Sequence, residues 1–252
     1  MFAQERHLAI TKIVRKERRI HFADLLRRMR VSPATLRRDL AQLEAAGDLI
    51  RVHGGVLDPS YVRSETSLAE RLLRNGKAKR AIAAAAAALV PEGATVLIDA
   101  GSTCLEAGKA LLGRKDVRII THSVALVEAG LRGEAEILCL GGALRKVSGA
   151  LTGGEALGAL SFLRADVAFI GATGLDPAWG CTTTELSEAT LKRAMLSKAT
   201  RKALLADATK WGNPGAVRFA EWKDFHDWIT DKKPAKQEMR LLSASGIKIH
   251  AA

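Results

Sequence analysis

Val31-Ser32-Pro33-Ala34-Thr35-Leu36-Arg37-Arg38-Asp39-Leu40 decides how the N-terminal part of the chain folds. Ser32 is a strong N-cap, and Pro33 suits the first helical position, where its missing N–H has no partner to lose. A helix is therefore predicted to begin there. Leu36, Leu40 and Leu43 recur at the spacing that buries one helix face. Thr35, Arg37 and Arg38 are left for the outer face, near the end of the helix that attracts anions. The pattern reads as a DNA recognition helix, with Ser32, Thr35, Arg37 and Arg38 as candidate contacts.

The flanking residues complete a small unit. Glu5 to Lys16 puts Ile10, Ile13 and Val14 on one helical face, and Phe22 to Met29 puts Phe22, Leu25, Leu26 and Met29 on another. Gly47 ends the third helix. Leu49 to Val56 then alternates apolar and polar residues around Gly54-Gly55, the pattern of a hairpin. Together these elements predict a winged helix-turn-helix over 1–57. Such a fold places its recognition helix in the major groove, while Arg51 and His53 on the wing become candidate contacts to the DNA backbone. An isolated Arg37-Arg38 pair is ordinarily a solvated helix face; the cap, the two preceding helices and the wing turn the reading toward DNA.

The chain has 252 residues, 48% of them hydrophobic, so a larger domain is expected over 77–252, joined through a connection over 58–76. Net charge is +12. Residues 1–60 hold twelve Lys and Arg against seven Asp and Glu, an excess of +5 that favours a polyanionic partner such as double-stranded DNA. Cys104, Cys139 and Cys181 are widely spaced and form neither a disulfide framework nor a paired ligand motif, which fits a reducing cytoplasm and gives no support for a metal site. No cofactor is called for. There is no N-terminal apolar signal, and Ala81 to Val90 is too short to span a membrane and reads as a buried alanine-rich helix.

From Ala94 onward, apolar runs alternate with helical stretches: Thr95–Ile98, Val117–Ile120, Glu136–Leu140, Asp166–Ile170 and Ala203–Ala206. That order predicts a parallel α/β sheet. Each run ends in small, polar or charged residues. They are Asp99, Gly101, Ser102 and Thr103; Thr121, His122 and Ser123; Gly141 and Gly142; Gly171, Thr173 and Gly174; and Asp207 to Lys210. Ligands of open parallel sheets bind at the carboxyl ends of the strands, so these turns are expected to converge on one pocket. Ser102 and Thr103 at a helix start suit an anion, and the mixture as a whole suits a phosphorylated sugar or polyol. Any one such turn is equally ordinary strand-to-helix punctuation, and Glu188, Lys192 and Lys210 taken singly are ordinary surface residues.

These residues resemble the DeoR family of bacterial transcriptional regulators. The resemblance rests on Val31 to Leu40, Leu43-Glu44, Gly47 and Arg51-Val52-His53-Gly54-Gly55. It continues through Asp99 to Thr103, Gly141-Gly142, Phe169 to Ala172, Glu188-Ala189, Lys192 to Met195, Asp207 to Lys210 and Ile229 to Asp231. It implies a repressor of carbohydrate catabolism with a C-terminal domain similar to ribose-5-phosphate isomerase, relieved by a phosphorylated sugar. It also implies that Asp99, Gly101, Ser102 and Thr103 hold this effector, with Thr121 to Ser123, Gly171 to Gly174, Lys192 and Lys210 around it. Ser102 and His122 depart from the Thr and Asn usual in the family, which bears on effector choice and on pH sensitivity. The C-terminal domains are expected to assemble a homo-oligomer, a dimer or tetramer that spaces the DNA-binding domains over operator half-sites. An isomerase-like enzyme is the alternative, with Asp99, Glu188 and Lys210 beside the sugar phosphate. It is disfavoured because Ile170 to Gly174 lacks the acidic residues such isomerases carry there. A DNA-binding architectural protein whose second domain only oligomerises is the other reading.

Overall fold

Ser32 accepts the backbone N–H of Thr35 at 3.1 Å, and Pro33 opens the helix Pro33–Ala45 as the motif requires. The computed structural model describes residues 3–17, 19–52, 55–59 and 66–252. It divides into two units, residues 1–65 and 66–252.

In the first unit, helices α1 (Ala3–Glu17), α2 (Phe22–Met29) and α3 (Pro33–Ala45) enclose a core that includes Ile10, Val14, Leu25, Leu36, Leu40 and Leu43. Arg30, at φ +51°, closes α2 with its N–H on the carbonyl of Leu26 and turns the chain toward Ser32. The expected hairpin is present as β2 (Ile50–Val52) and β3 (Gly55–Leu57), and β1 (Arg19–His21) adds a third antiparallel strand on the far side of β3. Asp39 lies on the buried face of α3 and is only 3% exposed. Its carboxylate accepts Arg6 Nε at 2.9 Å and Nη2 at 3.0 Å, and His7 Nε2 lies 3.1 Å away, so a charged clasp ties α1 to α3.

In the second unit, helices α4 (Leu68–Leu73) and α5 (Gly76–Ala87) precede the first strand, β4 (Thr95–Ile98). The remaining parallel strands are β5 (Arg118–Thr121), β6 (Glu136–Cys139), β9 (Ala165–Gly171), β12 (Ala199–Leu205), β14 (Asp227–Thr230) and β15 (Lys248–Ala251). They form a seven-stranded sheet in the order β15-β14-β12-β9-β4-β5-β6. Helices α6 (Ser102–Leu111), α7 (Val124–Gly130), α8 (Gly154–Ser161), α9 (Leu186–Lys198) and α10 (Lys236–Leu242) lie between the strands in sequence. Short antiparallel pieces are added by β7 (Ala143–Arg145) with β8 (Ala150–Thr152), and by β10 (Gly174–Asp176), β11 (Gly180–Thr183) and β13 (Val217–Ala220).

Successive strand residues feed two different cores. Val96, Ile98, Val167 and Phe169 pack with Ile82 and Leu111, whereas Leu97, Ala168, Ile170 and Leu204 pack with Leu160 and Met195. Both faces of the sheet are covered, which is why its central strands read as continuous apolar runs. The second core also holds Trp211, Trp222 and Trp228, whose ring centroids lie 5.4 to 5.6 Å apart. Among the described residues, no helix is long and apolar enough to cross a membrane.

The stretch expected as a connection over 58–76 is part of the larger unit from residue 66 onward. Ser67 and Glu70 form a reciprocal capping box that starts α4, and Leu68 N–H donates to Val147 O at 2.7 Å. Lys79 Nζ donates to the carbonyls of Arg71 and Arg74 at the other end of the same helix. Gly141 and Gly142 have a backbone role. Gly142 sits at φ +109°, and a Cβ there would stand 2.5 Å from the carbonyl oxygen of Thr152.

Gly142→Ala is expected to destabilise the second unit by about 1–3 kcal/mol, through strain and that collision, measured as a loss in its denaturant midpoint. In the first unit, the hydrogen bond from Arg6, aided by His7, holds the Asp39 carboxyl below its usual range despite burial. A lowered carboxyl pKa contributes stability above the ordinary carboxylate range, and that stability is lost as pH falls through it. Amide protection in α1 and α3, corrected for the intrinsic exchange rate at each pH, should therefore fall as pH drops from about 5 to about 3, and Asp39→Asn should remove most of that difference.

Candidate functional site

The outer face of the first unit carries the residues expected to meet DNA. Ser32 Oγ lies 2.8 Å from Thr35 Oγ1, so both hydroxyls sit together at the start of α3. Arg37 and Arg38 are exposed. The Arg37 guanidinium lies 5.5 Å from the centroid of the Phe22 ring, which steadies its long side chain over α2. Arg51 is exposed on β2, its N–H donating to Glu44 Oε1 at 3.2 Å and its guanidinium 3.7 Å from Glu44 Oε2. His53 lies outside the described residues. Asp39 was not singled out from the sequence. Its only local signal is a carboxylate set between the core leucines Leu36 and Leu40.

In the second unit the chain runs outward from β4 through β5 and β6, then returns to β9 on the other side of β4. The strand order reverses there, opening a crevice at the carboxyl ends of the strands. Asp99, directly after β4, is 1% exposed at the floor of this crevice. Its Oδ2 accepts Lys192 Nζ at 2.5 Å and the Gly171 N–H at 3.0 Å, and its Oδ1 lies 3.2 Å from His122 Nε2. Burial alone would raise the Asp99 carboxyl, but the Lys192 ammonium and the His122 contact outweigh it and hold the group far below its usual range. Lys192 also donates to Gly171 O at 3.0 Å and lies 5.4 Å from the Phe219 ring centroid.

His122 is held between backbone groups. Nδ1 faces the carbonyl of Leu151 at 3.1 Å, and Nε2 faces the Ala100 N–H at 3.1 Å. The Ala100 N–H calls for a lone pair on Nε2 and Asp99 Oδ1 for a proton there, so the two contacts compete for one ring nitrogen. Gly101 is the N-cap of α6 and supplies no side-chain acceptor, so the first-turn N–H groups beside Ser102 and Thr103 are left for a ligand. Glu188, on α9, is paired with Arg145 Nη1 at 3.1 Å and accepts Thr183 Oγ1 at 3.3 Å. Both carboxylates lining the crevice, Asp99 and Glu188, are thus engaged by cations, an arrangement that suits binding rather than proton abstraction.

Of the expected effector residues, Asp99, Gly101, Ser102, Thr103, His122, Gly171, Thr173, Glu188, Lys192 and Lys210 line the crevice together. The others are not part of that lining. Thr121 Oγ1 donates to Ile98 O at 2.8 Å, and Ser123 caps α7 through the Leu126 N–H. Asp207 accepts Thr209 N–H at 3.0 Å and Asn75 Nδ2 at 3.3 Å. Gly174 is required where the chain passes Asn213, since a Cβ would lie 1.6 Å from its carbonyl oxygen. Arg71, Ser148 and Thr183 also line the crevice and were not expected. Thr183 ends β11 and Ser148 lies in the β7–β8 turn, away from the strand-to-helix turns to which the sequence pattern points.

Comparison with known proteins agrees with both halves. The DeoR-like helix-turn-helix domain matches residues 6–60, and the DeoR C terminal sensor domain matches residues 74–232. The HTH-type transcriptional repressor GlcR of Bacillus subtilis (strain 168) is 32% identical over 250 residues, covering 99% of this chain and 96% of that protein. The glycerol-3-phosphate regulon repressor of Escherichia coli (strain K12) is 28% identical over 246 residues, 97% of each. Among solved structures, ribose 5-phosphate isomerase A from Methanocaldococcus jannaschii aligns with 54% of this chain and 55% of its own, at 19% identity and a TM-score of 0.41. With both domain families matched in order, and related regulators aligned over nearly their full length, the chain belongs to the DeoR family of DNA-binding transcription regulators.

Proposed function

We propose that this protein is a transcriptional repressor acting in the cytoplasm, and that it leaves its operator when a phosphorylated sugar or polyol occupies the crevice of the sensor unit. The observation that carries the reading is the crevice itself. A buried, charge-paired Asp99 and Lys192 stand beside the open N-terminus of α6, so hydroxyl-binding and anion-binding groups share one cleft. Asp99, His122 and Glu188 would orient hydroxyls, while Ser102, Thr103 and Lys210 would face the phosphate. The names of two relatives support this class of regulation: GlcR is a repressor, and the Escherichia coli relative is the repressor of a glycerol-3-phosphate regulon.

On the DNA side, Arg37 and Arg38 would reach base edges or phosphates, with Thr35 and Ser32 at the start of the helix and Arg51 and His53 on the backbone. The sensor units would pair in a dimer or tetramer that spaces two recognition helices over operator half-sites. The effector must bind the released arrangement more tightly than the operator-bound one.

Arg37→Ala and Arg38→Ala are each expected to weaken binding to DNA from the gene's own upstream region by about 1–3 kcal/mol if the residue reads a base, measured by fluorescence anisotropy. A loss equal on all sequences, with a shallower salt slope, would place the residue on phosphate instead. For the sensor, a thermal-shift screen should find at least one ester that stabilises the protein where its parent alcohol does not. The screen covers glycerol 3-phosphate, ribose 5-phosphate, fructose 1-phosphate, fructose 6-phosphate and glucose 6-phosphate. Unchanged melting temperatures throughout would favour a second unit that only oligomerises. Turnover of ribose 5-phosphate would overturn the regulatory reading of the crevice.

A further inference from the structure

Arg71 enters the crevice with Nε and Nη2 buried and without a hydrogen-bond partner, and Ser148 Oγ, in the same lining, is also buried and unpartnered. Ser148 is only 4% exposed. Buried donors in a folded protein are normally satisfied, so two such residues in one cleft mark the place of a ligand. Lys210 lines the same cleft, and its ammonium makes no hydrogen bond or ion pair with a described residue. Its ammonium is pushed below its usual range by burial, with Arg71 and Arg74 adding to that and Asp207 opposing it. Asp207 stands against three cations, Arg71, Arg74 and Lys210, so positive charge predominates on this side. The open first turn of α6, ten residues long, borders the same cleft.

A planar guanidinium, a hydroxyl, an ammonium and helix N–H groups drawn from four separate segments suit a tetrahedral, doubly charged oxyanion better than a flat carboxylate. Arg71 differs from the others in where it sits. It belongs to α4, six residues after Glu65 at the end of the first unit. Its backbone carbonyl is held by Lys79 Nζ, and the start of its helix is held by Val147 O.

We propose that Arg71, Ser148 and Lys210 form the seat of the effector's phosphate group, and that Arg71 carries its occupancy to the segment leading into the DNA-binding unit. The inference rests on the sensor reading above. An anion bound at Arg71 fixes α4 against the cleft; with the seat empty, that tie is missing. The release of DNA would then depend on Arg71 more than on any other ligand of the phosphate.

The test uses the full chain as wild type, Arg71→Gln, Arg71→Lys and Ser148→Ala. The probes are inorganic phosphate, titrated at constant ionic strength, and the five esters named above. Inorganic phosphate should raise the wild-type melting temperature saturably, and Arg71→Gln and Ser148→Ala should each weaken that binding about tenfold or more. Arg71→Lys, which keeps the charge but loses the fork, should fall between wild type and Arg71→Gln. At saturating ester, Ser148→Ala should release upstream DNA to the wild-type extent. Arg71→Gln should show nearly the same DNA affinity with and without ester. Circular dichroism identifies a variant that has not folded, and Arg71→Lys with Ser148→Ala then carries the comparison. If phosphate binds all four proteins equally, the seat is overturned, while ester-specific stabilisation would still uphold the sensor reading. If phosphate binds as expected but no ester binds better, the seat stands and the sugar-phosphate reading falls. Normal release by ester-saturated Arg71→Gln would overturn the coupling role, and a wild type indifferent to every probe would overturn both.

Discussion

The buried contact between Asp99 and Lys192 is the constraint on which the sensor unit is organised. A carboxylate that is 1% exposed is tolerable only with a full set of partners. Those partners come from separate elements: the ammonium from α9, an N–H from the end of β9 and an imidazole from the turn after β5. Removing the ammonium would leave an uncompensated buried charge, a loss of about 3–5 kcal/mol. The pair therefore fixes the mutual placement of three carboxyl-end turns before any ligand arrives, and preorganisation of this kind lowers the entropic cost of binding.

The same logic recurs in the first unit on a smaller scale. Asp39 points into the three-helix core and meets Arg6 and His7 from α1. The helix that presents Arg37 and Arg38 outward is thereby clasped from behind. A recognition helix must hold its angle against the pull of phosphate contacts, and a charged clasp resists rotation more directionally than leucine packing alone.

Much of this was legible in the sequence, where the determinants are local. Ser32 and Pro33 suit the cap and first position of a helix, and the doubly covered sheet makes Thr95–Ile98 and Asp166–Ile170 read as apolar runs. The parallel order then gathers Asp99, Gly101 to Thr103 and Gly171 at one edge, as the rule for such sheets requires. Other features depend on pairing across the chain. β1 is three residues whose partner lies at Gly55–Leu57, and β15 alternates Lys248, Ile249 and His250 at a sheet edge, where no unbroken apolar run is demanded. Arg71 and Ser148 reach the crevice from a helix before the sheet and from a hairpin turn, so no strand-to-helix rule points to them. Gly142 and Gly174 are ambiguous for a different reason: a glycine needed for backbone crossing looks, in sequence, like one needed for a ligand.

The indole trio has a practical consequence. All four tryptophans of the chain, at 179, 211, 222 and 228, belong to the sensor unit, and Trp211 directly follows Lys210 in the crevice wall. With rings about 5.5 Å apart, Trp211, Trp222 and Trp228 can exchange excitation energy, so a small change around Lys210 is transmitted to their collective emission. The DNA-binding unit contributes no indole signal of its own. The first unit's one phenol is Tyr61, so emission excited selectively at the indoles comes from the sensor unit alone and offers a label-free gauge of the proposed effector.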